Sequence, residues 1–250
     1  MENRVENLNY ILCQLMAEGG WQYSIPTALT DKQRMMRALM NLRQPIPAPD
    51  KFLQVQNLEL QMQAEEKGVV KLHGNGLQLW QGDITRLKVD AIVNAANAQG
   101  LGCWAPLHNC IDNCIHSAAG IQLRQECNDQ LQGRLLNTGD AIITNGYNLP
   151  AKHVIHTVGP IIQASVPTIE QEQQLAQCYR SCLDLAEQAS LQSIAFCCIS
   201  TGVFHFPNER AAQIAIETVR HYSCQSLKTI VFNVFLDKDY DIYKRLLHPN

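Results

Sequence analysis

Residues 100 to 113 read "GLGCWAPLHNCIDN", and the three side chains in them that ligate metals best are Cys103, His108 and Cys110. Thiolate and imidazole are the donors zinc favours, and three protein ligands with an open fourth position is the usual form of a catalytic zinc site. Pro106 and the short spacing restrict the loop, so convergence of the three would cost little ordering. A structural zinc needs a fourth ligand, for which Cys114 and His116 are near in sequence. An ordinary cysteine-containing loop is the third reading, and the residues alone leave all three open.

Further groups follow runs that read as strands. Asp83 lies in "QGDIT", Gly100 and Gly102 lie in "NAANAQGLG", and Gly202 lies in "STGVFHFP". In open α/β sheets ligands bind beyond the carboxyl ends of strands, where free backbone N–H groups meet anions. Each loop alone has an ordinary explanation: glycine after a strand is commonly a turn residue, and Asp83 could cap a helix. His153 and His156 in "KHVIH" suit satisfied inner histidines. His116 reads as a packed, hydrogen-bonded residue and Cys114 as core.

The elements that must position these groups fall into two regions. Residues 1–68 read as a helical extension, with apolar periodicity at Leu8, Ile11, Leu12 and Leu15, a second helix in "TDKQRMMRALMNLR" stopped by "QPIPAPD", and a third in "KFLQVQNLELQMQAEEKG". Met35, Met36 and Met40 form a face expected to pack against the rest of the protein. Residues 69–250 alternate apolar strands with amphipathic helices, which implies a central sheet covered on both faces. The strand candidates are "LQLWQG", "DAIVNAAN", "GDAIIT", "HVIHTVG", "SIAFCCIS" and "TIVFNVF"; helices follow near 175–189, from about Glu209 to Tyr222, and in "DKDYDIYKRLLH".

The chain has 250 residues, 46% hydrophobic and 17% charged, enough for one sizeable core plus an appendage. A net charge of -3 argues against coating duplex nucleic acid, which takes clustered Lys and Arg. The first residues lack a signal-peptide pattern, and no run approaches the roughly 18 apolar residues of a membrane span. A cytoplasmic monomer is expected. The 10 cysteines are irregularly spaced, and most are expected to be reduced, buried, small hydrophobes.

Taken in order, "GDITRLKVDAIVNAAN", "CIDNCIHSAAG", "TGDAIITNGYNLPAKHVIHTVGP" and "STGVFHFP" resemble the macrodomain family, which binds ADP-ribose. The Cys103, His108, Cys110 insertion and "MRALMNLRQPIPAP" are similar to those of the zinc-dependent macrodomains of microbes, which are protein-ADP-ribose hydrolases. The resemblance implies a three-layer α/β/α fold with a central mixed sheet and a zinc cofactor. It implies that Asp83 accepts from the adenine amino group with Ile84 beside the ring, and that Phe235 stacks on adenine. The backbone of Gly202, Val203 and Phe204 would hold the diphosphate, Asn97 would face the distal ribose, and Asp112 would stand near that sugar as the acidic group. The implied substrate is a protein side chain carrying one ADP-ribose, cleaved at the anomeric carbon, with zinc binding the distal ribose or the attacking water. Two thiolates would make the ion a mild Lewis acid, so positioning counts as much as water activation. His205, where the family commonly has glycine, is given no catalytic role.

Two other functions compete. A module that reads ADP-ribose without hydrolysing it would use zinc as a staple, since function resides in the site and not the fold. A zinc hydrolase of free nucleotide derivatives is the third; its deaminase form is disfavoured by the lack of a His-x-Glu followed by Pro-Cys-x-x-Cys.

Overall fold

The computed structural model describes residues 2–164 and 166–248. Three helices come first: α1 (Glu2–Gly19), α2 (Leu29–Leu42) and α3 (Asp50–Lys67). The periodic residues Leu8, Ile11, Leu12 and Leu15 are all buried, and they meet Met36, Leu39 and Met40 of α2 with Phe52 and Leu60 of α3. Met35 packs partly buried on the same cluster. The apolar face of α2 thus serves mainly this small core, joined by one residue of the following region, Ile121. Arg4 donates to both carboxylate oxygens of Glu59, at 2.8 and 3.0 Å, closing α1 onto α3.

The remainder is β1 (Gly76–Gln81), β2 (Ala91–Ala95), α4 (Ile111–Ala119), α5 (Ile121–Leu131), β3 (Ala141–Asn145), β4 (His153–Thr157), α6 (Ile169–Gln188), β5 (Ser193–Phe196), α7 (Asn208–His221), β6 (Thr229–Val234) and α8 (Asp237–Leu247). All six strand readings are correct. The strands form one sheet in the order β1-β6-β5-β2-β4-β3, with β3 antiparallel to β4 and the other pairings parallel. Parallel strands need both faces covered, which is why "AIV" in β2 and "IVF" in β6 are continuous apolar runs. Residues 121–131 were not singled out as a helix; Gly120 at φ 101 separates α5 from α4, a conformation other residues rarely adopt.

The cysteines depart from expectation. All ten are free, but only Cys127, Cys178, Cys182 and Cys197 are buried. Cys103 and Cys110 lie in the loop ahead of α4, Cys114 is half-buried on its first turns, and Cys13 and Cys224 are exposed. Their spacing does not follow the apolar periods that buried cysteines share.

Because five strands run parallel, their carboxyl ends open on one edge of the sheet. The loops leaving that edge, with the first turn of α4, carry Asp83, Asn97, Cys103, His108, Cys110, Asp112, Gly202 and Phe235.

Candidate active site

Asn94 is buried in β2, and Asn97 follows just beyond that strand. The Asn97 side chain is pinned on both sides. Its Oδ1 accepts from the Gln99 N–H at 3.0 Å, while Nδ2 donates to the Gly102 carbonyl at 3.3 Å and to Asp112 Oδ2 at 3.4 Å. Asp112, in the first turn of α4, takes its shortest bond from Asn94, whose Nδ2 lies 2.7 Å from Oδ1. The structure therefore brings together Asn97 and Asp112, as the sequence reading required, and adds Asn94, which that reading missed. The repeated asparagine of "NAAN" was the available signal.

Asp112 is only 4% exposed, and burial pushes its carboxyl up to about 6 despite the Asn94 hydrogen bond. A carboxyl at that value can carry or accept a proton near neutrality. His116 Nε2 lies 3.6 Å from Asp112 Oδ1, one turn along the helix. His116 is packed as expected but not hydrogen-bonded: both ring nitrogens lack a partner among the described residues. Gly102 lies directly on its ring, where a Cβ would sit 2.7 Å from Cγ, and has φ +81. Glycine is needed there on both counts.

His116, Cys127 and His156 also place ligand atoms within 4.8 Å of one another, all buried. The hydrogen bonds read against a metal. An amide nitrogen only donates, so Asn94 Nδ2, 3.1 Å from His156 Nδ1, makes Nδ1 the acceptor and places the ring proton on Nε2. That proton points to Thr144 Oγ1 at 3.0 Å, and the hydroxyl passes its own to the Val154 carbonyl at 3.3 Å. His156 is thus the satisfied inner histidine expected, and it holds Asn94 against Asp112. His153 sits half-buried, its Nδ1 3.2 Å from the Thr144 carbonyl.

These buried rings fix a pH response. Burial holds His156 down to about 3 and His116 well below its usual value. The unfolded chain takes up these protons near pH 6.5 and the folded one does not, so stability is full above 6.5 and falls as pH drops. At pH 4.5 His156 alone costs about 3 kcal/mol, and His116 adds to the loss. Asp112 opposes them: its folded carboxyl protonates before the unfolded one, returning about 2 kcal/mol by pH 4.5. The loss prevails. Urea titration of metal-free protein should show an unfolding free energy about 1 kcal/mol or more lower at pH 4.5 than at 7; a flat or rising profile would contradict this assignment.

The donor spacing of the Cys103, His108 and Cys110 loop can be compared with what a zinc ion would need. Zinc distances of about 2.3 Å to sulfur and 2.0 Å to nitrogen at tetrahedral angles set those two donors about 3.5 Å apart. Cys103 Sγ lies 3.6 Å from His108 Nδ1, and the three donor atoms of Cys103, His108 and Cys110 lie within 4.8 Å of one another. Cys110 is the N-cap of α4, its sulfur accepting from the Asn113 N–H, where the helix terminus favours a thiolate. Without a cation, burial and then the neighbouring Cys103 push the Cys110 thiol up to about 12. Cys114 does not join the set. It is half-buried beneath Arg37, whose Nη2 is 3.8 Å from its sulfur, and so is neither ligand nor full core.

The other candidates line the same edge. Asp83 does cap: its Oδ1 accepts from the N–H and hydroxyl of Thr85 at 2.9 and 2.7 Å, leaving Oδ2, 3.8 Å from Lys67, to face outward. Ile84 is 4% exposed and belongs to the main core, with little surface to offer a ring. Phe235 follows β6 beside Asp83, because Gln81 of β1 pairs with Val234, and it is 70% exposed. Past β5, the N–H groups of Gly202, Val203 and Phe204 bond to no other described backbone group, while Ser200 and His205 hold left-handed φ of 65 and 58 on either side. Free donors in a turn of this kind suit an anion. His205 is exposed on this turn.

A family model described as "Macro domain" matches residues 93–215. A protein of Staphylococcus aureus named "Protein-ADP-ribose hydrolase" is 48% identical over 229 residues, covering 88% of this chain and 86% of that protein. The chain belongs to the macrodomain family. A Treponema medium protein of the same printed name is 46% identical over 259 residues and covers 98% of each chain, so the likeness includes the helical extension. The crystal structure of a Trypanosoma brucei macrodomain in complex with ADP-ribose aligns over 69% of each chain at 36% identity, with a TM-score of 0.60. The six-stranded mixed sheet flanked by helices is thus the macrodomain fold, preceded here by α1 to α3. Among the described residues, no helix of this macrodomain is long and apolar enough to cross a membrane.

Proposed function

We propose that this macrodomain is a hydrolase that removes mono-ADP-ribose from modified protein side chains, cutting at the anomeric carbon of the distal ribose. The observation that carries the reading is Asp112: a buried carboxyl pushed up to about 6, held by Asn94 and Asn97 at the edge of the sheet and two residues from Cys110. The names of the staphylococcal and treponemal relatives support it.

In this reading the adenine lies between Phe235 and the outward oxygen of Asp83, the diphosphate takes the free N–H groups of Gly202, Val203 and Phe204, and the distal ribose reaches Asn97. Asp112 accepts a proton from the attacking water while that oxygen bonds to the anomeric carbon and the bond to the target side chain breaks, its electron pair going to the side-chain oxygen, which leaves as a carboxylate from aspartate or glutamate and takes a proton from water to leave as a serine hydroxyl. Cys103, His108 and Cys110 would hold zinc, which when bound supplies positive charge and a coordination position for an oxygen of the substrate or water. The helical extension, residues 1–68, is proposed as a unit distinct from the macrodomain of residues 69–250.

A second reading has one observation behind it: Asp112 shows so little surface that the cleft could bind ADP-ribose without delivering water. The deciding experiment supplies proteins carrying one ADP-ribose on serine, aspartate or glutamate, with and without a chelator, and measures free ADP-ribose. Release that stops on chelation is expected. Release that persists after verified metal removal overturns the metal's part, and tight binding with no release from any linkage makes the protein a reader.

A further inference from the structure

The backbone of the metal-ligand loop is held by the helical extension. Leu107, the residue before His108, has φ 59, a left-handed conformation costly for a branched side chain. Such a conformation persists where the surroundings over-determine it, and here the loop's own bond from the His108 N–H to the Ala105 carbonyl, at 3.2 Å, is joined by two side chains from outside the loop. Asn41 of α2 accepts the Leu107 N–H through Oδ1 at 3.0 Å. One turn earlier, Arg37 donates from Nη2 to the His108 carbonyl at 2.8 Å. The peptide group before the strained residue and the one after His108 are therefore fixed by two side chains of one helix.

Both side chains are themselves anchored. Arg37 reaches Asn113 Oδ1 from Nε at 3.2 Å and from Nη2 at 2.8 Å, and Asn113, fully buried, donates to the Ala105 carbonyl at 2.9 Å. Asn41, 2% exposed, donates to Ser117 Oγ at 3.0 Å on α4. Loop, α4 and α2 form one closed set of hydrogen bonds around His108.

From this we infer that Arg37 and Asn41 are positioning residues for the metal site, holding His108 toward Cys103 and Cys110, so that the extension is part of the active site. The inference rests on the zinc reading above. Groups that orient a ligand typically change metal affinity 10- to 100-fold when removed. Neither Arg37 nor Asn41 bonds to the residues proposed for adenine, diphosphate or distal ribose, so ADP-ribose affinity measured on the metal-free protein should not follow.

The test uses the full chain with Arg37→Met and Asn41→Ala, singly and together, and the exposed Arg34→Met on the same helix as control. Zinc affinity is measured by competition with a chromophoric chelator, and cobalt(II) reports thiolate ligation by its absorption. ADP-ribose affinity of the metal-free protein and thermal midpoint report the fold. Expected is a loss of zinc affinity of about 10- to 100-fold in the double variant, with ADP-ribose affinity within about twofold of wild type. Arg37→Lys, which can still reach the His108 carbonyl, should recover part of the loss. Arg37 is only half-buried, so Arg37→Met alone keeps the test open if the double variant does not fold. Zinc affinity unchanged in a folded Arg37→Met protein and in Asn41→Ala overturns the clamp while leaving the zinc reading standing. A wild-type protein with no cobalt–thiolate absorption overturns the zinc reading and this inference with it. Hydrogen exchange across residues 103–110 separates the two results, since loss of the clamp speeds exchange there whether or not metal binds.

Discussion

Asp112→Asn should bring hydrolysis of a mono-ADP-ribosylated protein down by about 10²- to 10⁴-fold, the range general base catalysis supplies, while ADP-ribose binds within a few fold of wild type. The substitution suits the question because the amide is nearly isosteric and one of its two ends is already prescribed. Asn94 Nδ2 lies 2.7 Å from Asp112 Oδ1, so the new amide will turn its oxygen there and its nitrogen toward Asn97, across the longer 3.4 Å contact. The buried position stays filled and hydrogen-bonded on its tight side, and what is lost is the ability to take a proton. The pH profile gives an independent sign. The wild-type carboxyl, pushed up by burial, accepts a proton only when ionised, so kcat/KM should rise with pH along an acid limb and level above it. In the variant that acid limb should vanish along with most of the rate. A variant retaining more than a tenth of wild-type turnover would rule out Asp112 as the proton acceptor and move attention to His116, the other titratable group at its side.

How much of this was readable beforehand depended on whether a residue acts through its own type or through distant partners. The sheet was legible because parallel strands buried on both faces leave continuous apolar runs, and β2 and β6 show them. The proximity of Cys103, His108 and Cys110 was legible because all three lie within eight residues, so nearness in sequence forces nearness in space. Asn97 and Asp112 came from the family resemblance, and the structure places them in contact. His116 was read as hydrogen-bonded because buried histidines usually are; its orphaned ring comes from Gly102 packing on it, a contact no local pattern encodes. Arg37, Asn41 and Arg124 were invisible for the same reason. Each bonds to backbone carbonyls or amides more than 60 positions away, and main-chain partners carry no residue type to read. The extension could be seen as helical and apolar, but its contribution to the site lies in these polar contacts.

Arg124→Met should cost about 3–5 kcal/mol of unfolding free energy, as expected when a buried ionic group is removed from a set of partners built around it. Arg124 is 5% exposed on α5 and, unusually for a buried cation, finds carbonyls in place of a carboxylate. It donates to Met40, Asn41 and Arg43 at 3.2, 2.9 and 2.7 Å, and to Leu101 and Cys103 at 2.6 and 3.4 Å. The first two carbonyls belong to the last turn of α2, which has no basic residue of its own, and a helix C-terminus leaves such groups unpaired with partial negative charge. One guanidinium therefore caps α2 and ties it to the loop that begins the metal site, with the indole of Trp104 stacked 4.0 Å away. Burial lowers the Arg124 pKa to about 10, which still leaves it charged at neutrality. Methionine fills a similar volume and removes the desolvation cost of the cation, which works in the variant's favour. Against that, five carbonyls lose a donor at once; that of Met40 keeps the Arg43 N–H at 3.3 Å, and each of the others left buried and unpaired costs about 1–3 kcal/mol, so the loss prevails. Arg124→Lys keeps the charge but offers three donors without the planar fork, so its cost should fall between wild type and methionine. Denaturant unfolding of the three proteins at pH 7 measures the series. A methionine variant within about 1 kcal/mol of wild type would mean that the carbonyls are satisfied by water, and that α2 docks on α4 and α5 through its apolar contacts and the Arg37 and Asn41 bonds alone.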